Sequence, residues 1–206
     1  MIKRRECAVA AALFAMWMSS APAGAQEPAY SPQWSLGLRG GVWSVPNTWL
    51  DHFLDEHPSV DGETFGITFS PLGESGSTGV FNVVYSLDYG TLSGSGRWLD
   101  DEDDWGDRRE GEASLDLIGL SANFMWDIMP EWVVHPYLGL GLGIAYVDGK
   151  IPGEEGESDE TYKGPAPVLQ IPVGLKAVIA ETVALHIEAR ILEGGLVLGG
   201  GAAVMW

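Results

Sequence analysis

The run Val134-His135-Pro136-Tyr137-Leu138-Gly139-Leu140-Gly141-Leu142-Gly143-Ile144-Ala145-Tyr146 alternates without a slip. Its even positions carry Val, Pro, Leu, Ile and Tyr, and its odd positions carry His, Tyr, Gly and Ala. A period of two is the signature of a strand. Alternation alone does not name the solvent on either side, because a soluble sandwich uses the same period. The glycines decide it. They share the polar face, where a crowded interior has room only for small residues between long charged ones. On a water-facing surface they would merely weaken the strand. The apolar face is therefore assigned to lipid and the polar face to a lumen.

The same pattern recurs in segments 33–45, 62–70, 79–91, 113–126, 132–147, 166–178, 182–192 and 195–206. Phe81, Val83, Tyr85, Leu87 and Tyr89 oppose Asn82, Ser86, Asp88 and Gly90. Val183, Leu185, Ile187, Ala189 and Ile191 oppose Ala184, His186, Glu188 and Arg190. Eight such segments predict an all-β fold, an eight-stranded antiparallel transmembrane up-and-down β-barrel. The connections 71–78, 127–131 and 179–181 are short, whereas 46–61, 92–112 and 148–165 are long, which predicts short periplasmic turns and long outer loops. The turn Glu193 to Gly195 is an exception on the outer side. Trp34, Trp126, Trp132 and Trp206 fall at strand ends on one membrane level and on the apolar parity, the placement of an interfacial aromatic girdle. Tyr89 and Tyr146 contribute to the opposite one.

The chain has 206 residues, 46% of them hydrophobic, and a formal net charge of −18 from 11 Lys and Arg against 29 Asp and Glu. That length suits one domain, and the hydrophobic and aromatic content excludes a disordered chain. With no basic stripe, nucleic acid is excluded as a partner. Residues 1–25 have the form of an export signal: Lys3, Arg4 and Arg5, the apolar stretch Ala8 to Trp17, and a small-x-small site at Ala23-Gly24-Ala25. Cleavage there leaves 26–206 as the barrel domain, without Cys7, so disulfides do not stabilise it. No later stretch is long and apolar enough for a transmembrane helix.

The stretch His135–Tyr146, the terminal strand Gly199-Gly200-Gly201-Ala202-Ala203-Val204-Met205-Trp206 and the signal together resemble the small Gram-negative outer-membrane β-barrel proteins. The nearest type is the eight-stranded OmpA transmembrane domain. That resemblance implies an outer-membrane location, a monomer, outer loops facing the medium, contact with outer-membrane lipids and lipopolysaccharide, and passage through the barrel-assembly machinery. In that family an aromatic last residue with apolar residues at alternate positions before it is the assembly signal, which Trp206 and Val204 match. No attached peptidoglycan-binding domain is expected after the barrel. The resemblance does not choose an activity. A non-enzymatic structural or surface-interaction role is the expectation, with a narrow porin-like channel and a lipid A-modifying barrel enzyme as alternatives.

On the lumen side the sequence collects Arg39, Asp88, Gln170, Lys176, His186, Glu188 and Arg190. Eight strands enclose a space that side chains fill, and charges inside must be paired, so a polar plug is expected. The ion pair expected first is Arg39 with Glu188, above the small residues Gly199, Gly201 and Ala203. Arg39, Asp88, Lys176, Glu188 and Arg190 are the lumen ion-pair candidates. His186, Glu188 and a serine such as Ser121 could form a hydrolytic set, but the histidine and glutamate face the lumen rather than a lipid substrate, and no His-x-Ser-Asn motif appears, so no catalytic set is assigned.

No cofactor or metal site is assigned either. The acidic run Asp100 to Asp107 matches a calcium-loop template at several positions, but Trp105 occupies a ligand position and no helices flank it. Together with Glu154, Glu155, Glu157, Asp159 and Glu160 it reads as a solvated acidic outer face. In the first outer loop, Trp49/Phe53 and Leu50/Leu54 stand at helical spacing before Pro58, which predicts a short amphipathic helix. His52 and Glu56, four apart, are not assigned a metal. Gly41-Val42-Trp43 matches the Gly-x-Trp of lipocalins, but a chain that ends on a strand and lacks a mature cysteine does not follow that fold. Pro172 falls within the sixth segment, where a closed barrel has no free edge, and predicts a bulge.

Overall fold

A computed structural model describes residues 34–52, 54–71, 81–100, 109–153, 158–179, 182–192 and 194–206. The described elements are β1 (Ser35–Val45), α1 (Asn47–Leu50), β2 (Leu54–Glu56), β3 (Val60–Ser70), β4 (Phe81–Asp100), β5 (Arg109–Asp127), β6 (Val134–Ile151), β7 (Glu160–Ile179), β8 (Val183–Leu192) and β9 (Gly195–Met205). Eight of the strands close into a ring in the order β1, β3, β4, β5, β6, β7, β8, β9 and back to β1, every pair antiparallel. At the seam, the Trp206 N–H donates to the Trp34 carbonyl at 3.1 Å and the Trp34 N–H to the Trp206 carbonyl at 3.3 Å. The segment 1–25 and its cleavage site lie outside the described residues, as do residues 101–107 and 154–157 of the acidic loops.

Alternation sorts the side chains as the solvent assignment requires. Leu120 is 58% exposed and Ile187 64%, whereas Asp88 is 2% and Arg190 1% exposed. Water would penalise so large an apolar exterior, and the polar interior could not drive a soluble barrel to fold. Acyl chains are the solvent that suits this surface.

The belt has a sharp upper edge. Phe65, Tyr89, Ile118, Tyr146 and Pro165 are successive partners across β3 to β7. The next outward row is Glu63, Thr91, Asp116, Asp148 and Lys163. Lys163 Nζ and Asp148 Oδ2 form an ion pair at 2.7 Å along that row. Outward apolar residues run from Phe81 to Tyr89 on β4 and from Ile118 to Trp126 on β5, which matches the roughly nine to eleven residues a tilted strand needs to cross the hydrocarbon.

Strands β4 to β7 do not stop at that edge. They run to 18–20 residues against 10–11 for β1, β3, β8 and β9. The barrel therefore has one tall wall, and its polarity inverts above the belt. Ser93, Ser95 and Arg97 point outward on β4, while Leu92 and Trp98 of the same strand point inward. Water has replaced lipid on the outside, so the apolar residues move to the inside. Because the wall consumes sequence that reads as loop, the connections 101–108 and 152–159 are much shorter than expected, and the contrast between long and short ends is weaker.

Three further expectations need correction. The first-loop helix is a single turn, Asn47–Leu50, because Leu54 and Glu56 instead form β2 and extend the sheet by pairing with Asp100 and Leu99 of β4. Pro172 makes no bulge: the β6–β7 register is the same at Leu138↔Val173 and at Gly141↔Gln170, and the β7–β8 register runs straight through Pro172↔Arg190. The missing donor leaves only a gap in the ladder toward β6. Opposite it stands Gly139, where a Cβ would lie 3.1 Å from Pro172 Cγ and closer still to Phe124 O. Finally, Trp132 lies in the turn before β6 rather than on a strand, its N–H donating to the Met129 carbonyl at 3.0 Å.

Candidate functional site

The lumen is built in layers, and the middle one is ionic. Arg39 on β1 faces Gly66 on β3, which faces Asp88 on β4. Gly66 has no side chain, and a Cβ there would collide with Asp88 Oδ1. The guanidinium therefore crosses to Asp88 and binds it in a fork, Nε to Oδ1 at 2.9 Å and Nη2 to Oδ2 at 2.6 Å. On the other side of Arg39 the β9 glycines play the same part, since Arg39 pairs with Gly201 and the nearby Gly199 pairs with Glu188. Across that gap Arg39 Nη1 lies 3.9 Å from Glu188 Oε1. The expected partner is thus present, but Asp88 is the closer one.

Arg190 completes the layer. Its Nε is 3.7 Å from Glu188 Oε1 and its Nη1 3.5 Å from Asp88 Oδ1. Gln170 Oε1 accepts from both arginines, at 3.2 Å from Arg39 and 3.3 Å from Arg190. The Tyr137 hydroxyl donates to Glu188 Oε2 at 3.0 Å. Two cations and two anions share the layer, so buried charge is balanced.

Below it, toward the end where the chain enters and leaves the barrel, Lys176 does not join this group. Its Nζ pairs with Asp127 Oδ2 at 2.8 Å, and His135 Nε2 stands 3.8 Å from Asp127 Oδ1. Asp127 lies one residue beyond the fourth segment, 113–126. Its odd position continues the inward parity of β5 and was the available signal.

Above the ionic layer, Trp43, Leu92, Leu117, Ala145, Val168, Leu192 and Val197 form a buried apolar cluster, with Trp43 fully enclosed. The expectation of a polar lumen holds only for the lower part of the barrel. The interior is ionic around Arg39 and Asp88 and becomes apolar toward the upper edge of the belt and above it. The Trp43 that matched a lipocalin motif is thus an interior residue of the upper layer.

Ser121 does not stand poised beside a base. Its hydroxyl is engaged with Ser86 Oγ at 2.8 Å and accepts from Asn123 Nδ2 and Gln170 Nε2, both at 3.2 Å. His186 stacks edge-on against the Tyr137 ring at 6.4 Å. Among the described residues no three His, Cys, Asp or Glu side chains converge to hold a metal ion. At the outer face Trp34, Trp126 and Trp206 are exposed, Trp34 against Phe69 and Trp126 against Phe81, each with ring centroids 5.5 Å apart.

His57, between β2 and β3 on the loop side, is one of the titratable groups of the mouth with a resolved shift. Its Nδ1–H donates to the Pro58 carbonyl at 3.0 Å, and its Nε2 lies 3.0 Å from Asp51 Oδ1. The Pro58 carbonyl, followed by the Asp51 carboxylate, holds the imidazole above its ordinary value against partial desolvation. A raised value means that this contact stabilises the fold fully below the ordinary imidazole pKa and is lost as pH rises through the raised one. An NMR titration of the His57 ring is expected to give a midpoint above that of an unstructured histidine, and Asp51→Asn is expected to lower it.

No protein-family model and no curated protein matches the chain. Solved structures do. The Neisserial surface protein A (NspA) aligns with 86% of this chain and 99% of its own at a TM-score of 0.52 and 13% identity. The N-terminal β-barrel domain of Pseudomonas aeruginosa OprF aligns with 86% of this chain and 100% of its own, at a TM-score of 0.44 and 15% identity. Ail, the attachment invasion locus protein of Yersinia pestis, aligns over the same share at 0.47 and 12%. Identities this low speak to fold alone, and of the three only the likeness to NspA is close enough to argue from. With the closed eight-stranded ring and its apolar belt, that likeness gives this chain the fold seen in small outer-membrane β-barrels.

Proposed function

We propose that the chain is an integral outer-membrane protein of a Gram-negative cell, non-enzymatic, with a structural or surface-interaction role. Residues 1–25 direct export and are removed, and 26–206 insert as a monomeric barrel. Trp206 and Val204 are read by the barrel-assembly machinery. The belt contacts outer-membrane lipids, while the acidic loops face outward beside lipopolysaccharide. Trp34, Trp126, Trp132 and Trp206 anchor the periplasmic edge, where indole is favoured.

The observation that carries this reading is the blocked lumen. Arg39, Asp88, Glu188 and Arg190 knit β1, β4 and β8 together across the axis, and the Trp43 layer lies over them. A plug of paired charges under an apolar stopper disfavours a continuous aqueous path. Purified barrel reconstituted in planar bilayers is expected to give no step conductance, while running on gels with a mobility that changes only on boiling. Steady unitary currents would replace this reading with the channel.

A further inference from the structure

Above the Trp43 cluster, the tall wall encloses an open cavity of about 580 Å³. That is within the range of small-molecule sites, roughly 300–1,000 Å³. Val45, Val60, Leu92, Trp98 and Leu115 line it, and Leu50 of α1 closes one side. Val45, Val60, Leu92 and Leu115 also pack into the cluster beneath, so the cavity is a cup with a sealed apolar floor.

The rim has a different chemistry. Lys150 and Glu160 stand there. Lys150 is taken by Asp159 at 2.7 Å. Glu160 has no ion-pair partner among the described residues. Glu112 on β5 lies within electrostatic reach of Lys150, on a chain of formal charge −18. Acidic groups around an apolar cleft concentrate cations and repel anions.

We infer that this cup is a binding site for a cationic amphiphile, which seats its alkyl chain among Val45, Leu92 and Leu115 and its head group beside Glu160. The lipid belt cannot substitute for it, because the cup lies above the row of Glu63, Asp116 and Asp148 that ends the belt.

The test is an NMR titration of the methyl-labelled barrel in lipid nanodiscs with decyltrimethylammonium, which partitions weakly enough to be followed in water. Methyl signals of Leu92, Leu115 and Val60 are expected to shift and saturate at one equivalent bound. Decyl sulfate is expected to need at least tenfold more, and tetramethylammonium, lacking the chain, to leave the methyls unmoved. Glu160→Gln at the exposed rim is expected to erase the preference for the cation while retaining chain binding. Ala113→Trp, which fills the cup, is expected to abolish the shifts while the belt signals keep their positions. Shifts confined to belt methyls, a response that does not saturate, or equal affinity for decyl sulfate would each overturn the assignment. The wild-type titration decides it even if Ala113→Trp does not fold.

Discussion

Leu87→Lys is expected to lower the stability of the barrel in bilayers by about 2–4 kcal/mol, the penalty of a cation on the lipid face near midplane. Ser93→Lys, six residues on along the same face of the same strand, is expected to cost close to nothing. Leu87 is an exposed apolar residue in the row Leu87, Leu120, Ile144. Ser93 is exposed above the Tyr89 edge, where Asp61 is its partner. Reversible unfolding by denaturant from vesicles measures both. Two small, similar losses would mean that acyl chains do not cover the lower belt, and two large ones that the edge is misplaced.

Asp88→Ala is expected to cost about 3–5 kcal/mol, the usual cost of removing one partner from a buried ion pair. The fork from Arg39 would be left empty, and both arginines would depend on Glu188 at 3.7–3.9 Å. Gln170 and Ser86 donate or accept hydrogen bonds but bring no charge. Arg39→Met combined with Asp88→Leu removes one charge of each sign, and is expected to be far less damaging than either single change. The same unfolding assay reports the cycle. An Asp88→Ala variant as stable as the parent would show that water, rather than the pairing, carries these charges.

The lower barrel was legible because its two solvents differ so sharply in polarity. Phe81, Tyr85 and Leu87 against Asn82, Ser86 and Asp88 leave no doubt about the period or the faces. Inward placement of Arg39, Lys176, Glu188 and Arg190 follows from parity alone. Partner choice does not: Asp88 rather than Glu188 for Arg39, and Asp127 for Lys176, depend on the register between strands. That register sets Gly66 between Arg39 and Asp88, and parity cannot foresee it.

The tall wall escaped the sequence for the opposite reason. Past Tyr89, the outward positions become Thr91, Ser93, Ser95 and Arg97, so the greasy face vanishes although the backbone stays extended. Polar residues at alternate positions in an acidic, glycine-rich run resemble a loop. The surviving signal was the inverted one, Leu92 and Trp98 on the parity that lower down carries Asn82, Ser86 and Asp88. The first-loop helix failed because the four-residue spacings Trp49/Phe53, whose Phe53 lies outside the described residues, and Leu50/Leu54 are too short to nucleate a helix against a sheet edge that accepts Leu54 and Glu56 as a strand.

Methyl-to-lipid nuclear Overhauser contacts in nanodiscs address the inversion of polarity most directly. With leucine, isoleucine and valine methyls labelled, cross-peaks to acyl-chain methylenes are expected for Leu120, Leu142, Ile144 and Ile187, and none for Leu92, Leu117, Val168 or Leu192. Contacts from the second set to acyl chains, or silence from the first, would mean that the oily side chains do not face the bilayer.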